Sequence, residues 1–178
     1  MYLFILLCPF SSKAGVLIEL SGVYLTDTTV SSSTAKSSKY FYQAGILFDI
    51  QKKFWGGWNY SGISHKDTGD EETIFVSADT GPYIKWQFGR GQLYSLTAAF
   101  NISSKADYKS GTDTERWEGT SYWIQFGVMP ELAAGFHLGA SLNYYAANYT
   151  KKIVSGTETN DSNSKTWIFP MLSLTKQW

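Results

Sequence analysis

Few side chains in this 178-residue chain could do covalent or metal chemistry, and their spacing limits what they could do. There are two histidines and one cysteine. His137 shares one face of an alternating segment with Ser141, but four residues along an extended strand separate them by about 13 Å. That is too far for the hydrogen bond by which a histidine activates a serine. His65 stands in the stretch ISHKD at a loop edge, with Ser64 and Asp67 nearby. Two histidines, with Cys8 confined to an apolar N-terminal run, do not supply a tetrahedral zinc site. No catalytic residue, metal or cofactor is therefore expected. What remains is a small set of charges on the polar face of the alternating segments: Glu19, Asp49, Asp79, Lys85 and His137. All but Asp79 fall toward the same end of those segments. Enclosed together they are expected to pair, because an isolated charge in a narrow interior is costly. A paired set would be a structural plug; the alternative is a constriction that conducts protons or ions.

The elements that must position these residues are strands. From Gly15 onward the dominant period is two. In YFYQAGILFDI the positions Tyr40, Tyr42, Ala44, Ile46, Phe48 and Ile50 form an apolar face against Gln43, Gly45 and Asp49. In LYSLTAAFNIS, Tyr94, Leu96, Ala98, Phe100 and Ile102 oppose Ser95, Thr97, Ala99 and Asn101. Eight such segments can be counted, the last carrying Ile168, Pro170, Leu172, Leu174 and Trp178 on its apolar face. Pro82 and Pro170 depart from the pattern, and each implies a bulge or a missing ladder bond, since proline has no N–H to donate. Connections alternate in length. Short links lie at QKK, GRG and PELAA, and long polar ones at TDTTVSSSTAKSS, SHKDTGDEE, SKADYKSGTDTE and TKKIVSGTETNDSNSK. This is the signature of an antiparallel up-and-down meander whose two ends meet different surroundings.

Composition narrows the surroundings. Fifteen basic and fifteen acidic residues cancel, which leaves no basic footprint for nucleic acid. Aromatic residues make up 17% of the chain although its mean hydropathy is −0.20. No apolar run reaches the roughly 18 to 20 residues of a spanning helix. The longest, YLFILLCPF, is followed by SSKAG, in which Ser12 and Ala14 suit a signal-peptidase cut, although no Lys or Arg precedes the run. Residues 1–14 are expected to be a signal peptide and residues 15–178 one barrel. A lipoprotein reading with Cys8 acylated fits less well, because Leu7 stands where a small residue is usual.

The face opposite the apolar one carries Gly45, Ser77, Gly81, Gly119, Ser121, Gly127, Gly139 and Ser141, with few charges. A soluble barrel would show Lys and Glu there, so the apolar face is expected to point outward, into lipid, and the small polar face into the lumen. Phe48, Phe54, Trp86, Phe88, Tyr94, Phe136 and Trp178 gather by the short turns, and Tyr24, Tyr40, Tyr42, Trp58, Tyr60, Tyr122 and Tyr144 near the long connections. Two interfacial girdles are expected.

Residues 15–178 thus resemble the small eight-stranded outer-membrane barrels of Gram-negative bacteria, of the OmpA transmembrane domain, OmpX and OmpW types. The resemblance implies an all-β transmembrane antiparallel barrel with short periplasmic turns and longer extracellular loops. It also implies that Trp178, with Leu172 and Leu174 on the same face, is the signal read by the barrel-assembly machinery. Lys176 departs from that pattern and is expected to snorkel into the headgroups. Some barrels of this size resemble lipid A deacylases or palmitoyl transferases, but the sequence around His65 lacks a His-x-Ser-Asn pattern. The expected role is a non-enzymatic anchor or surface-interaction module, in contact with outer-membrane lipids and lipopolysaccharide and with a partner at the cell surface. A narrow channel is the alternative, releasing apolar solutes sideways at weak points near Pro82 or Pro170.

Overall fold

The computed structural model describes residues 15–30, 34–51, 53–68 and 72–178. The expected signal peptide, with Cys8, lies outside the described residues. Eight long strands follow one another: β1 Val16–Val30, β2 Thr34–Gln51, β3 Phe54–Thr68, β4 Thr73–Phe88, β5 Tyr94–Ser110, β6 Asp113–Val128, β8 Phe136–Val154 and β9 Thr157–Gln177. The three-residue strand β7, Glu131–Ala133, folds back on the start of β8 within the PELAA link. Every long strand pairs antiparallel with its neighbour in sequence, β6 pairing with β8. The ring closes where β1 meets β9. No helix among the described residues is long and apolar enough to cross a membrane; the chain crosses with strands, which a closed sheet permits because its backbone groups are paired.

Period two sets the faces. Ile46, Phe48, Ile84, Leu96, Ile124, Leu138, Leu142, Leu172 and Leu174 are exposed, and Glu19, Gln43, Ser77, Lys85, Gln125 and Asn143 on the alternate positions are buried. In a soluble protein this would be an inverted core; around a barrel it is a lipid-facing band. The girdles form as well. Phe54 stacks on Trp86 at 5.8 Å, Trp86 on Phe88 at 4.6 Å and Phe88 on Tyr94 at 5.7 Å at the short-turn end. Tyr40, Tyr42 and Tyr60 form a chain of rings at the other end, where Tyr122 lies 5.9 Å from Tyr144.

The long polar connections differ from expectation. Most of their residues are paired strand. β5 and β6 stay paired out to Ser110 and Asp113, and β8 and β9 out to Val154 and Thr157, each across one register shift. The turn between the latter is the two residues Ser155 and Gly156, with φ of 50° and 82°, the left-handed pair that matches hairpin twist. Ser and Thr suit a solvated strand as well as a loop, and composition alone did not separate the two. Cross-strand ion pairs hold these extensions together, among them Arg116–Asp107 at 2.9 Å, Lys151–Glu158 at 2.7 Å and Lys152–Glu115 at 2.7 Å. The sheet therefore continues as a paired wall beyond the outer tyrosines, to a height on the order of 25 Å for strands tilted by about 40°.

Pro82 lies in a register shift between β4 and β5, from Thr80 to Tyr83, as a missing donor requires. Pro170 keeps its register with β8, opposite Leu142. On the other side of β9, pairing with β1 runs only as far as Leu172.

Candidate functional site: the filled lumen and the outer mouth

Glu19 on β1 and Lys85 on β4 meet across the lumen, Nζ to Oε2 at 2.7 Å, with side-chain exposures of 0% and 1%. The Tyr83 hydroxyl donates to the same carboxylate oxygen. From Glu19 the polar contacts run on through Ser21, which donates to Ser173 at 2.8 Å. Gln125 donates to Ser173 at 3.2 Å and to Ser141 at 2.9 Å, and the Trp123 indole donates to Asn143 at 2.8 Å. The pair is thus completed by neutral donors, which is what a buried ion pair needs to offset its desolvation.

The other inward charges do not join it. Asp79 is buried at 1% exposure and forms no ion pair among the described residues; its oxygens accept from Ser77 at 3.3 Å, Ser121 at 3.0 Å and Tyr145 at 3.1 Å. His137 places Nδ1 3.2 Å from the Met129 carbonyl, at the short-turn mouth. Asp49 is half-buried, and its Oδ1 has no hydrogen-bond partner among the described residues. The expectation of one paired set is corrected to one ion pair and three separate groups. Inward direction follows from alternation along a strand, but contact across the lumen depends on strand tilt and stagger, which alternation does not encode.

The sequence analysis also missed the main filling of the lumen, which is aromatic. Phe41 and Phe169 stack at 3.7 Å, Trp123 meets Tyr145 and Phe169 edge-on at 5.7 and 5.3 Å, and Trp167 packs on Phe75 at 5.5 Å. These residues occupy the same alternate positions as the small fillers, so the parity that made Tyr122 outward already made Trp123 inward. Small residues make room for them. A Cβ on Gly45 would lie 2.8 Å from Tyr83 Cε1 and 3.2 Å from Cδ1. Gly45→Ala should therefore push the Tyr83 ring off Glu19 and cost about 1–3 kcal/mol, read as a lower urea midpoint of the refolded protein; an unchanged midpoint would show that the ring shifts freely.

The two histidines are equally informative. His137 and Ser141 stay apart on β8, Ser141 being engaged by Gln125 and Asn143. At the outer mouth, His65 Nε2 lies 3.0 Å from Asp67 Oδ1 and 3.2 Å from Ser37 Oγ on the adjacent strand β2. Ser37, not Ser64, is the serine that the fold brings to it. Both contacts use the same ring nitrogen, whereas a relay needs one nitrogen for the serine and the other for the carboxylate. Burial holds His65 below the usual histidine value even though Asp67 pulls the other way. Nearby, Phe75, Tyr108, Glu115, Trp117, Asn163 and Lys165 line a cavity of about 240 Å³. Among the described residues no cluster of His, Cys, Asp and Glu could hold a metal ion.

Neither a protein-family profile nor a curated protein matches the sequence. Solved structures do match. Neisserial surface protein A (NspA) is 14% identical, with a TM-score of 0.51 over 92% of this chain and 95% of that one. The fold is that of an eight-stranded outer-membrane β-barrel. The translocator domain of the autotransporter NalP from Neisseria meningitidis is 13% identical, with a TM-score of 0.47, and this chain spans 63% of its length. At such identities the likeness concerns the fold alone. For an outer-membrane barrel the outward apolar band is the lipid contact, and its girdle residues mark the two interfaces. Lys176 sits at the inner one, donating to the Ala134 carbonyl, with its Nζ 4.3 Å from the centre of the Phe136 ring and 5.3 Å from that of Trp178.

Proposed function

We propose that this outer-membrane barrel is a non-enzymatic anchor that presents its outer strand extensions as a surface-interaction module. One observation carries the reading: the lumen is filled by side chains from the Glu19–Lys85 pair up to the Phe41–Phe169 stack, while the polar sheet above the tyrosine girdle remains paired and exposed. A filled interior supports anchoring over conduction, and a rigid polar wall at the membrane surface is suited to contact with another surface. Lipopolysaccharide and membrane lipids would surround the apolar band. Leu172, Leu174 and Trp178, exposed on the outward face of β9, would be the face read during assembly. The decisive measurement is conductance across a planar bilayer after refolding, verified by altered gel mobility of unboiled sample. The parent protein is expected to be silent. Steady openings in it would replace this reading with the channel.

A further inference from the structure

Above the outer tyrosines the inward residues of the paired extensions enclose the outer end of the lumen. β4 and β9 stand on opposite sides of the ring of long strands, yet their side chains meet there. Trp167 of β9 packs on Phe75 of β4, and Lys165 carries its Nζ to 5.6 Å from the centre of the same ring. Phe75 is opposite Tyr108 on β5, and Tyr108 is opposite Glu115 on β6. The cavity of about 240 Å³ at this level is therefore two-sided. One wall, from β4, β5 and β6, gives it the rings of Phe75, Tyr108 and Trp117; the other, from β9, gives it the Asn163 amide and the Lys165 ammonium.

Charge at this mouth is unevenly matched. Glu115 also lines the cavity, but both its oxygens are taken, one by Lys152 at 2.7 Å and the other by the Trp117 indole at 3.2 Å. Asp67 is taken by His65. Among the described residues Lys165 makes no ion pair. Its ammonium lies over a phenyl ring, which is a weaker partner than an acid. His65 records the same excess of positive charge: burial first, and after it Lys39 and Lys165, hold it down against the pull of Asp67.

These features select a ligand by shape and by charge. The volume lies below the roughly 300 Å³ at which pockets take drug-sized molecules, so it suits a single six-membered ring. A pyranose has a face of C–H groups and an edge of hydroxyls, which matches rings on one wall and an amide on the other. An acid group on the sugar supplies the counter-charge for Lys165. A flat aromatic acid is apolar on both faces and would leave the Asn163 amide unsatisfied, and an acyl chain would leave amide and ammonium alike without a partner.

We propose that the outer mouth of the barrel binds one acidic sugar residue, its apolar face against the wall of Phe75, Tyr108 and Trp117 and its acid group on Lys165. The inference rests on the surface-interaction reading and gives that module a site and a class of partner, an acidic glycan.

The test titrates the refolded full chain in lipid nanodiscs with methyl β-D-glucuronide, methyl β-D-glucoside and benzoate, and follows the Trp117 indole N–H by NMR. The glucuronide should shift this resonance saturably, bind at least about tenfold more tightly than the glucoside, and leave the indoles of Trp86 and Trp178 at the short-turn end unmoved. Lys165→Gln should abolish the preference for the acid while gel mobility of the unboiled sample is retained. Lys165→Arg should keep the preference, and so should Lys105→Gln, which removes an exposed lysine on the outward face of β5. Tyr108→Ala should weaken both sugars. An indole that does not move at on the order of 10 mM glucuronide would overturn the proposal, as would a preference that survives in Lys165→Gln, or benzoate binding as tightly as the glucuronide. Lipopolysaccharide in the nanodisc that displaces the glucuronide would keep the site and assign its sugar to the cell's own surface; glucuronide binding unaffected by it would keep the site for a glycan of another surface. Conductance separates this from the parent reading: a silent barrel without sugar binding keeps the surface module and loses the site, and a conducting barrel that binds the glucuronide does the reverse.

Discussion

Replacing Lys85 by alanine is expected to cost the refolded barrel about 3–5 kcal/mol, the effect of leaving one member of a buried ion pair uncompensated. Glu19 is wholly enclosed, and among the described residues its carboxylate, beyond Lys85, accepts from the Tyr83 hydroxyl and lies 3.5 Å from that of Ser21. The penalty belongs to the orphaned charge, so the double variant Glu19→Gln, Lys85→Met should recover most of it. Urea midpoints at fixed lipid composition read both effects. If the single and double variants unfolded together, the carboxylate would be reaching water, and the lumen would be wetter than its packing implies.

Leu172→Arg is expected to cost about 2–4 kcal/mol, the range for a cation on the lipid face at the bilayer midplane. Leu172 is 65% exposed and lies opposite Ala140, midway along β8 between Phe136 in the inner girdle and Tyr144 in the outer one. The same substitution on a soluble barrel's exterior would be nearly neutral, which makes it a direct test of which face meets lipid. Unchanged stability would invert the assignment of faces, and with it the account of why apolar residues are exposed along every strand.

These two experiments probe different kinds of information. The outward position of Leu172 could be read from its own strand, because side chains alternate every residue and the neighbours at Leu174 and Pro170 repeat the pattern. The encounter of Glu19 with Lys85 could not. They are 66 residues apart, on strands that are not neighbours in the ring, and only the tilt and stagger of the closed sheet bring them to one level. Asp79 shows the same limit from the other direction, since alternation put it in the lumen but gave no hint that Ser77, Ser121 and Tyr145 would serve it in place of a cation. Ser37 reached His65 because β2 and β3 pair, whereas Ser64, its neighbour in sequence, points elsewhere.

The strand extensions and the closure of the ring complete the division. Ser- and Thr-rich stretches were legible as polar and solvent-facing, but whether they loop or pair depends on what the adjacent strand does at the same height. Pro170 was legible as a missing donor. Which strand loses the bond follows only from the register of β9 between β1 and β8. By itself the sequence determined the number of long strands, the face each turns to lipid and the two aromatic girdles, because all of these are local or periodic. The tertiary structure alone decided which buried charge finds a counter-charge, how aromatic rings fill the lumen and how far the closing ladder between β1 and β9 extends, because those depend on contacts between distant strands whose relative height is set by closure of the ring.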